Sequence, residues 1–206
     1  MTGQFAPIAA QIGRLLRRTA LLFACALGLG AGAAAAAEVA GIKFADSSRL
    51  AGHTLQLNGV GVRKKAIFKV YAMGLYLPAR TDNGETAMDM PGPKRALLVT
   101  LMGLSGEQLA DAVVRSMSSR VSKEELDKLS ARMEQFRSDI LQVKDTKSGT
   151  AITLDYLPES GTQLVVAGAP QGGPVPGEDF FRALLNVWLG KNAIQNDLKD
   201  GLLGKP

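Results

Sequence analysis

Apolar and polar positions alternate in the middle of the chain, and that alternation changes period twice. Leu55-Gln56-Leu57 alternates as a strand does, and Asn58-Gly59 after it is a strong two-residue hairpin signal. Residues 60–77 (VGVRKKAIFKVYAMGLYL) are rich in Val, Ile, Phe and Tyr and contain no proline. They read as one long strand, or as two joined at a bulge near Lys65. Residues 95–102 (RALLVTLM) form a nearly continuous apolar run, as expected of a strand buried on both faces.

The period then shifts to that of a helix. Ser105 with Gln108 and Ser122 with Glu125 are two capping boxes, each followed by an apolar stripe: Leu109, Ala112, Val113 and Met117, then Leu126, Leu129, Met133, Phe136 and Ile140. Residues 150–157 and 162–167 alternate again and predict a hairpin turning at 158–161. The stretch 171–177 (QGGPVPG) reads as a loop, 177–189 as an amphipathic helix stopped at Gly190, and 194–203 as a short last helix. Strands and helices segregated in this way predict an α+β domain, an antiparallel sheet covered on one face by helices.

The N-terminal residues change the reading of charge. Arg14, Arg17 and Arg18 precede a short apolar run, residues 20–30, and Ala35-Ala36-Ala37 fits a cleavage site before Glu38. The expectation is a secretory signal over 1–37 and an exported, periplasmic or secreted domain over 38–206. The apolar run is too short to span a bilayer. Loss of the three arginines lowers the formal charge from +5 to +2, which gives no reason to expect nucleic-acid binding. Cys25, the sole cysteine, falls in the leader, where bulky Phe23 argues against a lipidation signal. The remaining domain then has no disulfide and no thiolate chemistry.

Candidate chemistry is sparse. His53 is the only histidine, with no nucleophile or acidic partner placed for it by spacing, and no set of ligands is spaced for a metal. No glycine motif for phosphate is present. Arg63 and Tyr71 stand at an even separation on the predicted long strand, so they share a face if it is unbroken. An arginine fork beside a phenol can hold a carboxylate or phenolate. The same residues also fit a cationic run, Arg63, Lys64, Lys65 and Lys69, that guards a sheet edge against aggregation.

Residues 58–63 (NGVGVR), 69–77 (KVYAMGLYL), 104–106 (LSG), 155–157 (DYL) and 176–190 (PGEDFFRALLNVWLG) resemble, in order, the chalcone-isomerase-like family, in particular its bacterial exported branch. The resemblance implies an open-faced β-sandwich, a large antiparallel sheet with a helical layer and a ligand cleft between them. In the plant enzymes an arginine steers a flavonoid phenolate while hydroxyl and amide side chains position substrate and water. Laid on this chain, that arginine falls at Arg63 and the first threonine position at Tyr71. The helix tyrosine falls at Leu109, the asparagine at Ser116 and the last hydroxyl at Val187. With most of that hydrogen-bonding set gone, chalcone isomerisation would lose its orientation and charge stabilisation. The family's non-catalytic plant members bind fatty acids through the corresponding Arg and a nearby Tyr. The resemblance therefore implies a non-catalytic binder of a small amphipathic anion, a fatty acid first, with Arg63, Tyr71, Leu109, Ser116 and Val187 lining the cleft and no cofactor. Rival expectations are an isomerase acting on another enone with Tyr71 as acid or base, a haem protein with His53 or Tyr71 as axial ligand, and a purely structural or interaction role.

Overall fold

Seven strands, from Ser47–Leu50 to Ala169–Val175, hydrogen-bond in sequence order into one antiparallel sheet. The computed structural model describes residues 36–205, which lie within a compact unit spanning Ala35–Pro206. The expected leader, 1–37, lies outside the described residues except for Ala36 and Ala37. The strands are β1 Ala37–Val39, β2 Ile42–Phe44, β3 Ser47–Leu50, β4 His53–Lys65, β5 Phe68–Leu77, β6 Lys94–Thr100, β7 Ala151–Leu157, β8 Gly161–Val166 and β9 Ala169–Val175. The helices are α1 Gly84–Asp89, α2 Gly106–Ser118, α3 Lys123–Leu141, α4 Glu178–Leu189 and α5 Asn196–Leu202. The architecture is α+β, as the segregated pattern predicts.

Alternation along each strand sorts side chains into two cores. Met73, Leu75, Leu77, Leu98, Ile152 and Leu154 point to the helices and join the apolar faces of α2, α3 and α4. Ala72, Tyr76, Leu55 and Leu57 point the other way and pack with Phe44 of the β1–β2 hairpin, which covers part of the second face. Gly74 permits that contact, since a Cβ there would sit 2.6 Å from the Phe44 ring. Both capping boxes form as predicted, Ser105 with Gln108 and Ser122 with Glu125.

Three expectations need correction. Asn58-Gly59 is not a turn but the interior of β4, at a register shift between Leu57 and Gly59. The chain bulges there because α5 lies against the strand: a Cβ on Gly59 would come within 2.2 Å of the Gly201 carbonyl oxygen, and one on Gly61 within 2.8 Å of Leu198. Asn58 serves as a clasp, its amide donating to the Leu202 carbonyl and its oxygen accepting from the Thr81 amide, each at 2.7 Å. Second, residues 60–77 are not one strand but two, with a register shift between Arg63 and Lys64, and they are joined by a reversal rather than a bulge alone: Ala66, with φ of 51°, serves a tight turn. Third, most of the predicted loop 171–177 belongs to edge strand β9, where Pro170 and Pro174 are tolerated because one side of the strand carries no partner.

Candidate functional site

The reversal at Ala66 places Arg63 and Tyr71 on adjacent strands, and the register makes them direct partners. Directly opposed residues in an antiparallel pair project to the same face. The pairing anticipated from even spacing therefore exists, by cross-strand register rather than by shared strand. The face is the helical one, and there both residues line a cavity of about 390 Å³ between the sheet, α2 and α4.

All five residues singled out from the sequence line this one cavity: Arg63, Tyr71, Leu109, Ser116 and Val187. Leu109 and Ser116 reach it from α2 and Val187 from α4, because those helices turn their apolar stripes to the sheet. Val70, Leu98, Ile152 and Leu184 complete a largely apolar wall. Leu98, Leu109, Val113, Ile152 and Trp188 also line a second, wholly apolar cavity of about 60 Å³, reaching Phe136 and Ile140 of α3. Thr100 lines the first cavity, but its hydroxyl is committed to the Lys147 carbonyl at 2.6 Å and closes a loop.

Polar groups gather at one end. The Tyr71 hydroxyl accepts a 2.9 Å hydrogen bond from the Trp188 indole N–H. That leaves its own proton free to donate into the cavity. Burial raises the Tyr71 pKa above its ordinary value, against smaller lowering effects from Trp188 and Arg63, so the phenol is neutral at physiological pH and acts as a donor.

Arg63 is held by its own strand and by α5. Its Nη1 donates to the Lys64 carbonyl and, at 3.1 Å, to Oε1 of Gln195. Gln195 in turn accepts from the Lys64 amide at 2.8 Å and donates to the Val62 carbonyl at 3.0 Å. The side chain thus substitutes for a neighbouring strand along the part of β4 that extends beyond its pairing with β3, and fixes the backbone that carries Arg63.

A second guanidinium, not anticipated from the sequence, shares the cavity. Arg120, just beyond α2, donates from Nε to the Asn192 carbonyl at 2.7 Å, and from Nη1 to the Ser116 carbonyl and the Ser119 hydroxyl, each at 2.9 Å. Its pKa is lowered, first by desolvation and then by the positive charge of Arg63. Among the described residues neither Arg63 nor Arg120 has a carboxylate within ion-pair distance, whereas Arg95, Arg132 and Arg182 are matched to Asp155, Asp179 and the Glu85–Asp89 pair. Lys65 and Arg115 line the same cavity, and guanidiniums without a carboxylate partner beside an apolar wall can accept an anion.

Arg120 escaped the sequence reading because a cation just past a helix C-terminus already has an ordinary role against the helix dipole. Trp188 and Gln195 were also missed. The single Trp on the α4 apolar face carried a usable signal, since a buried indole N–H calls for an acceptor. No group of three or more His, Cys, Asp or Glu suited to a metal occurs among the described residues.

The fold is a curled antiparallel sheet backed by helices, with a largely apolar cavity between the layers. A sequence profile of the chalcone isomerase-like family matches residues 36–204, and the chain belongs to that family. Among solved structures it is similar to the crystal structure of a fatty-acid binding protein from Arabidopsis thaliana, with a TM-score of 0.67 and 18% identity over 82% of this chain and 95% of that one. At that identity the likeness establishes the fold. Comparison with curated protein sequences finds no significant match.

Proposed function

We propose that this protein is a non-catalytic carrier of an amphipathic carboxylate, a fatty acid first, exported from the cytoplasm and acting in the periplasm or outside the cell. The observation that carries the reading is the pair Arg63 and Arg120, without carboxylate partners among the described residues, on a largely apolar cavity of about 390 Å³. That volume lies in the range of small-ligand sites. The carboxylate meets the two guanidiniums and the Tyr71 proton, and the acyl chain runs along Leu109, Val113 and Val187 toward the apolar space beyond. The structural similarity to a fatty-acid binding protein agrees with this assignment.

The energetics permit it. About ten buried methylenes at ~0.8 kcal/mol each give roughly 8 kcal/mol. Association offsets at least about 4 kcal/mol of that. Charge-assisted contacts of about 1.5–3 kcal/mol each bring the sum to the micromolar range. Titration of delipidated protein with dodecanoate and hexadecanoate tests the reading, and absence of binding to both removes it.

The arrangement disfavours acid–base chemistry at Tyr71. A phenol whose pKa is raised and whose oxygen already accepts from Trp188 is a poor base, and Leu109 and Val187 offer nothing to orient water. Turnover of an enone panel that disappears in Tyr71→Phe would reverse this conclusion. The export assignment rests on the leader pattern alone, and detection of the full-length chain in the cytoplasmic fraction would contradict it.

A further inference from the structure

The β4–β5 hairpin tip leaves in water what a globular domain ordinarily buries. Ile67 is 88% exposed and Phe68 62%, the two most exposed large apolar side chains among the described residues. Around them stand exposed Lys64, Lys65 and Lys69, and no acidic residue occurs between 60 and 77. Lys64 and Lys69 are direct cross-strand partners, a like-charge pairing that weakens a hairpin. Among the described residues none of the three lysines has an ion-pair partner.

Guarding a sheet edge would account for the lysines but not for an isoleucine and a phenylalanine held between them. An apolar tip ringed by cations has the composition of an interfacial anchor: the apolar side chains enter the acyl boundary while the lysines meet lipid phosphates. The tip also adjoins the site. Lys65, Ala66 and Phe68 line a space of about 620 Å³ whose walls include Tyr71, Leu104 and Leu109, shared with the carboxylate cavity. Glu107 and Asp111 of α2 border the same space, and Asp111 is engaged by Arg115 at 3.4 Å.

We propose that the β4–β5 tip docks the protein on an anionic lipid bilayer, Ile67 and Phe68 entering the interface and Lys64, Lys65 and Lys69 contacting phosphate headgroups. Docked in this way, the protein presents the adjoining cavity to the acyl layer. That consequence rests on the carrier reading; the docking itself does not.

The test is co-sedimentation of the full chain with vesicles of phosphatidylglycerol mixed with phosphatidylcholine, against phosphatidylcholine alone. Binding is expected only to the anionic vesicles and should decline with added salt. Ile67→Asp and the double variant Lys64→Glu/Lys69→Glu should each lower vesicle affinity by at least about tenfold. Ile67 lines neither the 390 Å³ cavity nor the 620 Å³ space, so Ile67→Asp should leave dodecanoate affinity in solution unchanged. Vesicle binding that is equal without anionic lipid, or unaltered by Ile67→Asp, overturns the proposal. So does tip-dependent association with protein in the absence of any vesicle binding. Docking without dodecanoate affinity keeps the proposal and removes the carrier reading, while dodecanoate affinity without docking does the reverse.

Discussion

Arg63 and Tyr71 face each other across the β4–β5 ladder, and each is fixed by a residue from a different C-terminal helical element. Gln195, at the start of α5, holds Arg63 at 3.1 Å, and Trp188 of α4 donates to Tyr71 at 2.9 Å. The last two helices therefore do more than close the core: they set the direction of both polar groups at the cavity.

Removing Trp188 as a donor should loosen Tyr71 without emptying the cavity of apolar wall. Trp188→Phe is expected to weaken carboxylate binding by about 0.5–1.5 kcal/mol, the worth of an ordinary hydrogen bond. Tyr71→Phe should cost more in stability, by about 1–3 kcal/mol, because the indole N–H is left buried without its acceptor. Urea denaturation of both variants beside ligand titration checks the order, and equal stability of Tyr71→Phe and wild type would show the hydrogen bond to be idle.

Close packing of α5 on β4 makes a second prediction. Gly61→Ala drives a methyl group against Leu198, whose Cδ1 lies 2.8 Å from the added Cβ, and should destabilise the fold by about 1–3 kcal/mol. Because Gln195 precedes the same helix, ligand affinity should fall as well. A stable Gly61→Ala variant with unaltered affinity would show that α5 does not position Arg63.

Lys94 carries a stability prediction away from the site. Its side chain is fully buried, its Nζ has no hydrogen-bond partner, and its nearest anion is Glu178 at 3.5 Å, itself exposed. The ammonium lies 5.0 Å from the Tyr156 ring centroid. Desolvation lowers the Lys94 pKa below its ordinary 10.5, outweighing the opposing pull of Glu178. Between the lowered value and 10.5 the unfolded chain binds more protons at this group than the folded one, so its contribution to stability rises with pH through that window. Lys94→Met should therefore equal or exceed wild type at pH 7, by up to about 2 kcal/mol. The advantage should shrink as the pH approaches 10.5. A variant markedly less stable at pH 7 would show that the Tyr156 contact outweighs desolvation.

Much of this was legible in the sequence, for reasons that differ by residue. Ser105–Gln108 and Ser122–Glu125 are local, reciprocal hydrogen-bonding units, so spacing alone identified them. Asn58-Gly59 misled because its glycine answers to a helix some 140 positions away, not to a local turn. Short β3 and six-residue α1 left no periodic trace, and β9 was hidden by its glycines and prolines, which only an edge strand accommodates. Resemblance to the family located Arg63, Tyr71, Leu109, Ser116 and Val187 in one cavity. It said nothing of Arg120, which lines the same cavity and, unlike Arg95, Arg132 and Arg182, has no carboxylate within ion-pair distance among the described residues.

The length of the apolar path should also be readable. Leu109 and Val113 stand in the wall between the larger cavity and the 60 Å³ space. Val113→Phe is expected to shift preference toward shorter acyl chains, lowering hexadecanoate affinity by about 1–3 kcal/mol with little effect on octanoate. A uniform loss across chain lengths would place the acyl chain elsewhere.

The most direct measurement is calorimetric titration of delipidated protein with dodecanoate and with dodecanol, in wild type and in the Arg63→Ala/Arg120→Ala double variant. The account predicts micromolar binding of the acid, at least about tenfold tighter than the alcohol, with that difference abolished in the double variant. Equal affinity for acid and alcohol in wild type, or a preference for the acid that survives loss of both guanidiniums, would contradict it.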